Sequence, residues 1–187
     1  VARSITAQNH VSTYDEIKVL LDRAEAPFAI LECICRKKKA LEGKPCTATD
    51  RKETCLAMGS VAGAFISNGH AREIDRQEAM SIIEQNQEQG LVPQPSNTQL
   101  ASFICSCCGC CCGMLQIHKM LPKPLDYWAT NFHADVDETV CDGCGLCQER
   151  CQVKAIRIDA HEQHALVDLD RCLGCGVCVT VCPNGAI

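Results

Sequence analysis

The sequence predicts an α+β chain in two parts: a mainly helical, cysteine-rich part over residues 1–130 and a smaller cysteine-repeat part over 131–187. Three observations carry this. Capping-box patterns with apolar residues at helical spacing recur through the first part. Cysteine spacings recur at a fixed offset in the second part. And 18 of the 187 residues are cysteine, clustered in tight motifs and adjacent pairs that read as metal binding rather than a disulfide framework.

The elements follow in order. Thr13-Tyr14-Asp15-Glu16 is a capping box that opens a helix through Ile17, Leu20, Leu21 and Ala24, bounded by Pro27. Phe28 to Cys35 reads as a strand, with Cys33 and Cys35 on one face. Asp50-Arg51-Lys52-Glu53 predicts a second helix running to Ser67, stopped at Asn68-Gly69, with Cys55 in its first turns. Asp75 to Glu78 opens a third, with Ala79, Ile82, Ile83 and Asn86 on one side and Gly90 at its end. Pro93-Gln94-Pro95-Ser96-Asn97 reads as a loop. A cysteine run, Cys105 to Gly113, precedes a short helix from Met114 to Met120 that Pro122 and Pro124 close.

The remaining segment is an internal repeat. Cys141, Cys144, Cys147 and Cys151 recur as Cys172, Cys175, Cys178 and Cys182, each 31 residues on. Ile156–Ile158 and Ala165–Val167 read as a hairpin. The second copy stops at Ile187 and the chain starts at Val1, which together suggest a fragment of a longer protein.

Composition removes several function classes. The 47% apolar fraction includes the cysteines, so the supply for an apolar core is thin. No apolar run is long enough for a membrane span. A net charge of −5 argues against nucleic-acid binding. No phosphate-binding loop, dinucleotide fingerprint or nucleophile elbow is present. Arg36-Lys37-Lys38-Lys39 reads as a solvated basic surface, Tyr127 and Trp128 as packing residues, and His118, His133, His161 and His164 show no metal spacing. Clustered thiols place the chain in a reducing compartment, the cytoplasm.

Each C-x2-C-x2-C-x3-C copy can wrap three corners of a cubane, with Gly143, Gly145, Gly174 and Gly176 letting the backbone close around it. On these residues, 134–187 resembles the bacterial dicluster ferredoxins, which implies a ferredoxin-like fold and two [4Fe–4S] clusters. The resemblance assigns Cys141, Cys144, Cys147 and Cys182 to one cluster, and Cys172, Cys175, Cys178 and Cys151 to the other. Pro183 matches the family's proline, whereas Gln152 replaces it in the first copy.

Ten cysteines remain as a pool for one or two further sites: Cys33, Cys35, Cys46, Cys55, Cys105, Cys107, Cys108, Cys110, Cys111 and Cys112. Cys33, Cys35, Cys46 and Cys55 could close one site, or ligands could mix with the late run. An iron–sulfur cluster is preferred over zinc and over buried free thiols. Cys33-Ile34-Cys35-Arg36, Gly43-Lys44-Pro45-Cys46, Glu53-Thr54-Cys55-Leu56, Gln94-Pro95-Ser96-Asn97 and Cys111-Cys112-Gly113 precede the repeat in this order. On them, residues 28–187 resemble a group of little-characterised 4Fe–4S-binding proteins of anaerobic bacteria.

The expected function is electron transfer through several [4Fe–4S] clusters, as a carrier or as the iron–sulfur subunit of a larger oxidoreductase, with redox proteins as partners. Two alternatives stand beside it: an oxidoreductase with a catalytic metal site in the N-terminal part, and an iron–sulfur redox sensor. No catalytic residue and no substrate is named by the sequence.

Overall fold

The structure, a computed structural model, describes residues 9–96 and 101–187. The strand β1 (Asn9–His10) leads into α1 (Tyr14–Arg23), which carries the expected capping box: Thr13 Oγ1 accepts from the Glu16 amide, and the Glu16 carboxylate accepts from the Thr13 amide. Then come β2 (Phe28–Glu32), α2 (Ile34–Leu41), β3 (Glu53–Met58), α3 (Gly59–Ser67), β4 (Arg72–Ile74) and α4 (Arg76–Glu88), whose N-cap is Asp75. Next are β5 (Val92–Pro95), β6 (Phe103–Cys107), α5 (Gly113–Met120) and the two-residue β7 (Trp128–Ala129). The repeat segment holds α6 (Leu146–Arg150) and the hairpin β8 (Ile156–Ile158) with β9 (Ala165–Val167).

The first part is organised around a sheet, which the mainly helical expectation did not contain. Five strands run antiparallel in the order β4-β2-β3-β6-β5. Side chains alternate across it with period two. Ile30, Leu56 and Ile104 join Ile17, Leu21, Ile82 and Ile83 of α1 and α4 in one core. Ala29, Leu31, Cys55 and Ala57 pack with Ala62 of α3 in another. The α+β class holds, with helices on both faces.

Three local expectations are corrected, the first and third because strand pairing overrides local propensity, the second because pairing stops at Glu32 and a helix begins at Ile34. Glu53 to Met58 is a strand, so Cys55 lies on β3, and the helix starts only at Gly59. The early strand stops at Glu32; Cys33 is the N-cap of α2, and Cys35 lies within that helix rather than on a shared strand face. Pro93 and Pro95 belong to β5, tolerated because β5 is an edge strand. Asn97 of the expected loop lies outside the described residues.

The two parts meet through a shared apolar core. Val92, Cys107, Cys112, Leu115 and Trp128 pack with Val153, Ala155, Cys172 and Leu173. Arg150 donates to the carbonyls of Gln87, at 3.0 Å, and Glu88, so it caps the C-terminal end of α4. Within the first part, β1 pairs in parallel with β7, whose Trp128 belongs to this shared core.

Candidate metal centres

The repeat segment is built as a two-fold exchange. The Ala165 amide donates to Cys141 Sγ at 3.4 Å, and the Ala134 amide, 31 residues earlier, donates to Cys172 Sγ at 3.4 Å. The Ala155 and Ala186 amides donate to Cys151 and Cys182 Sγ, each at 3.2 Å. Asp137 N–H reaches the Ala186 carbonyl and Asp168 N–H the Ala155 carbonyl, both at 2.8 Å. Each copy therefore supplies backbone donors to the other.

This geometry fits two cubanes. Cys141, Cys144, Cys147 and Cys182 line one cavity, with Val136, Ile158 and Ile187 as its apolar wall. The four cysteines that the resemblance implies for one cluster thus lie around one cavity. In the second set, Cys175 is pushed up to about 12 by burial and by the neighbouring Cys178, Cys151 and Cys172. Cys178 is likewise pushed up to about 12, by burial first and then by Cys172 and Cys151. Burial, and behind it the neighbouring thiols, disfavours free thiolates here, and a bound cationic centre offsets both, so the donor set suits a metal or iron–sulfur centre. Amides aimed at cysteine sulfur are the donors that tune such a core.

The ten other cysteines separate into two groups. Cys46, Cys108, Cys110 and Cys111 bring all four Sγ atoms within 4.8 Å of one another. Individual contacts are 3.6 Å for Cys46–Cys108 and Cys46–Cys110, 3.4 Å for Cys108–Cys110 and 3.7 Å for Cys110–Cys111. Burial is the largest influence on Cys110 and would raise it. Hydrogen bonds from Thr47 and the thiols of Cys108 and Cys46 outweigh burial and bring it to about 6. Cys108 goes the other way, to about 12, through burial.

The second group is a chain of thiols across the sheet. Leu31 pairs with Cys55 and Leu56 with Ile104, so Cys55 and Cys105 fall at neighbouring positions on β3 and β6, with Cys33 just past the end of β2. Cys105 is pulled down to about 4 by hydrogen bonds from Cys107 and Cys55. Cys112 comes down to about 6 through Cys107. Cys55 is raised to about 11, first by its bond to Cys105, while Cys33 is raised by its bond to Cys55 and by burial. Cys35 sits beside this chain and feels the charges of Cys112 and Cys33.

Arg36 links the two groups and corrects the reading of the basic run. It is 5% exposed. It donates to Thr54 Oγ1 and, at 2.7 Å, to the Ser106 carbonyl, and the charges of Cys33, Cys108 and Cys46 hold its proton firmly. Asn86 completes the network by donating to the Thr54 carbonyl at 3.0 Å and Ser106 Oγ at 2.8 Å. Lys37 and Lys38 do lie at the surface, paired with Glu32 and Glu42. The signal in the sequence was the position of Arg36 three residues after Cys33, on the inner face of one helical turn.

Gln152 was another missed contributor. Its Oε1 accepts the Gly109 amide at 2.8 Å, while Lys119 Nζ donates to the Gly109 carbonyl at 2.7 Å. A Cβ on Gly109 would lie 2.2 Å from the Gln152 carbonyl oxygen. The residue standing where the second copy has Pro183 therefore locks the cysteine-rich turn of the first part.

His118 is buried edge-on to Trp128, ring centroids 5.2 Å apart. His164 lies between Glu138 and Glu162, and His133 and His161 are exposed. No helix of the described residues is long and apolar enough to cross a membrane.

No curated protein and no solved structure matches the chain. Residues 140–186, however, match the family model of the 4Fe-4S dicluster domain, so the chain carries an iron–sulfur module at the segment where the two-fold exchange was found.

Proposed function

We propose that this is an electron-transfer protein, a carrier or the iron–sulfur subunit of a larger oxidoreductase, in a reducing cytoplasm. Residues 131–187 form the dicluster unit. Cys141, Cys144, Cys147 and Cys182 hold one [4Fe–4S] cluster, and Cys172, Cys175, Cys178 and Cys151 hold the other. Residues 1–130 form a cysteine-rich unit docked to it, with a further cluster held among Cys33, Cys35, Cys55, Cys105, Cys107 and Cys112. A cubane with four thiolate ligands supplies one-electron transfer and leaves no open position for substrate.

The observation that carries this reading is the shared core. Cys107 and Cys112 pack in the same apolar cluster as Cys172, with Cys151 and Cys175 against it. Buried Tyr14 feels the charges of both Cys175 and Cys107, and its hydroxyl is fixed on the Leu91 carbonyl at 2.6 Å. The second set of the module is thus the one that faces the thiol chain, and an electron has a short dry route between them.

Anaerobic redox titration followed by electron paramagnetic resonance tests this. Three one-electron centres are expected, with magnetic coupling between the Cys175-containing centre and the N-terminal one. Cys107→Ser should remove that coupling and spare the Cys141-containing centre. Two centres only, unaffected by Cys107→Ser, would overturn the three-cluster reading.

A further inference from the structure

The four-thiol group Cys46, Cys108, Cys110 and Cys111 differs in kind from the module's cysteines. We infer that it binds a single tetrahedrally coordinated metal ion, zinc or iron, and not a cubane. This inference goes beyond the electron-transfer reading and does not depend on it.

Size decides between the two. A lone ion with bonds of about 2.3 Å to four sulfurs places those sulfurs about 3.8 Å apart, the edge of the tetrahedron. In a cubane each thiolate binds a different iron and stands outside the inorganic core. The same bond length then puts the sulfurs roughly 6 to 7 Å apart. The four contacts here are 3.4, 3.6, 3.6 and 3.7 Å. All match the single ion, and a cubane would have to force the set to nearly double its spacing. The eight module cysteines, which match the dicluster family, form no group within 4.8 Å. The compact spacing therefore belongs to this group, not to cysteines throughout the chain.

The surroundings suit a closed site of charge −2, a divalent ion with four thiolates. Cys108 and Cys111 are buried, and Cys46 and Cys110 half-buried. The buried Arg36 supplies a positive charge beside Cys46 and Cys108. The turn is preset: the Cys112 amide donates to the Cys108 carbonyl at 3.0 Å, and Gln116 Nε2 to the Cys110 carbonyl at 2.8 Å. With four protein ligands the ion has no open position, so its role is that of a clamp. It ties the loop after α2, which holds Cys46, to the turn after β6, 62 residues away in sequence. The six remaining cysteines are then left free for electron-carrying chemistry.

Metal analysis of the full chain, purified without oxygen, tests the inference. The expected result is one zinc per chain, or one iron in excess of acid-labile sulfide. If the ion is zinc, X-ray absorption at the zinc edge should show one shell of four sulfurs near about 2.3 Å; if it is iron, Mössbauer spectra should show one tetrathiolate iron distinct from the cubane irons. Cys110→Ser should lose that one ion and keep the sulfide count. Equal iron and sulfide with no zinc would overturn the inference, as would loss of about four irons and four sulfides from Cys110→Ser. These spectra and the metal count on the unaltered chain decide the matter even where the variant fails to fold.

Discussion

Gly143 sits so close to Gln163 that a Cβ added to it would lie 2.1 Å from the Gln163 carbonyl oxygen. Thirty-one residues on, Gly174 stands in the same relation to Phe132, also at 2.1 Å. Both glycines have positive φ, +68° and +62°. Gly143→Ala therefore meets backbone as well as strain, with a cost on the order of 3 kcal/mol. Gly185, at φ +63° with nothing within 4 Å, carries the strain alone, and Gly185→Ala should cost about 1 kcal/mol. Thermal loss of visible absorption in the two variants, compared with the unaltered chain, checks the order.

Asp142 follows Cys141, two residues before Cys144, and its carboxylate accepts the Cys144 amide at 3.1 Å. That bond, first among its influences, holds its carboxyl below the usual range, so it is charged at neutral pH. Leu173 occupies the matching position in the other copy. Asp142→Asn should raise the reduction potential of the Cys141-containing centre, on the order of tens of millivolts at low salt. The other module centre should hold its value. A redox titration that resolves the two centres reads this directly.

Gln152 joins the module to the cysteine-rich turn through the Gly109 amide. Gln152→Leu leaves that amide without its acceptor, at a cost of about 1 to 2 kcal/mol. The loss should appear as faster release of metal from the Cys46 group to a chelator. Iron in the module should leave no faster, because all eight of its cysteines lie outside the altered contact.

His118 is held down to about 4, by burial first and then by the charge of Arg171. A histidine neutral in the fold and protonated in the unfolded chain takes up more protons on unfolding. Its contribution is therefore full above about pH 6.5 and is lost as pH falls from there toward 4. Between pH 7 and 5.5 the loss is about 1 kcal/mol. His118→Phe should flatten that part of the stability profile, measured by urea unfolding without oxygen across this interval.

What could be read from the sequence was what depends on neighbours along the chain. The Thr13 box, the α4 face with Ala79, Ile82, Ile83 and Asn86, and the β8–β9 hairpin all follow from spacing within a dozen residues or so. The sheet did not follow, because Glu53–Met58 becomes a strand by pairing with Phe28–Glu32 and Phe103–Cys107, long-range partners that local propensity does not contain. The same limit applied to the ten cysteines. They were recognised as a ligand pool, yet their division follows from where β6 is inserted beside β3. Arg36 was masked by the three lysines that follow it, since a basic run looks alike whether or not one member turns inward.

The exchanged amide donors also say what one copy of the repeat would be worth alone. A single copy could satisfy neither its leading cysteine sulfur, Cys141 or Cys172, nor the carbonyl of Ala155 or Ala186, because those donors come from the other copy. Two identical half-length chains on a two-fold axis would satisfy all of them, so the module has the form of an isologous homodimer fused into one polypeptide. Fusion frees the halves to diverge. A symmetric pair must carry the same residue at both positions, whereas this chain holds Asp142 against Leu173 and Gln152 against Pro183. One half has thereby gained a charge beside Cys141 and Cys144 and a polar anchor on the Gly109 turn, while the other meets the first part through the apolar Leu173 instead.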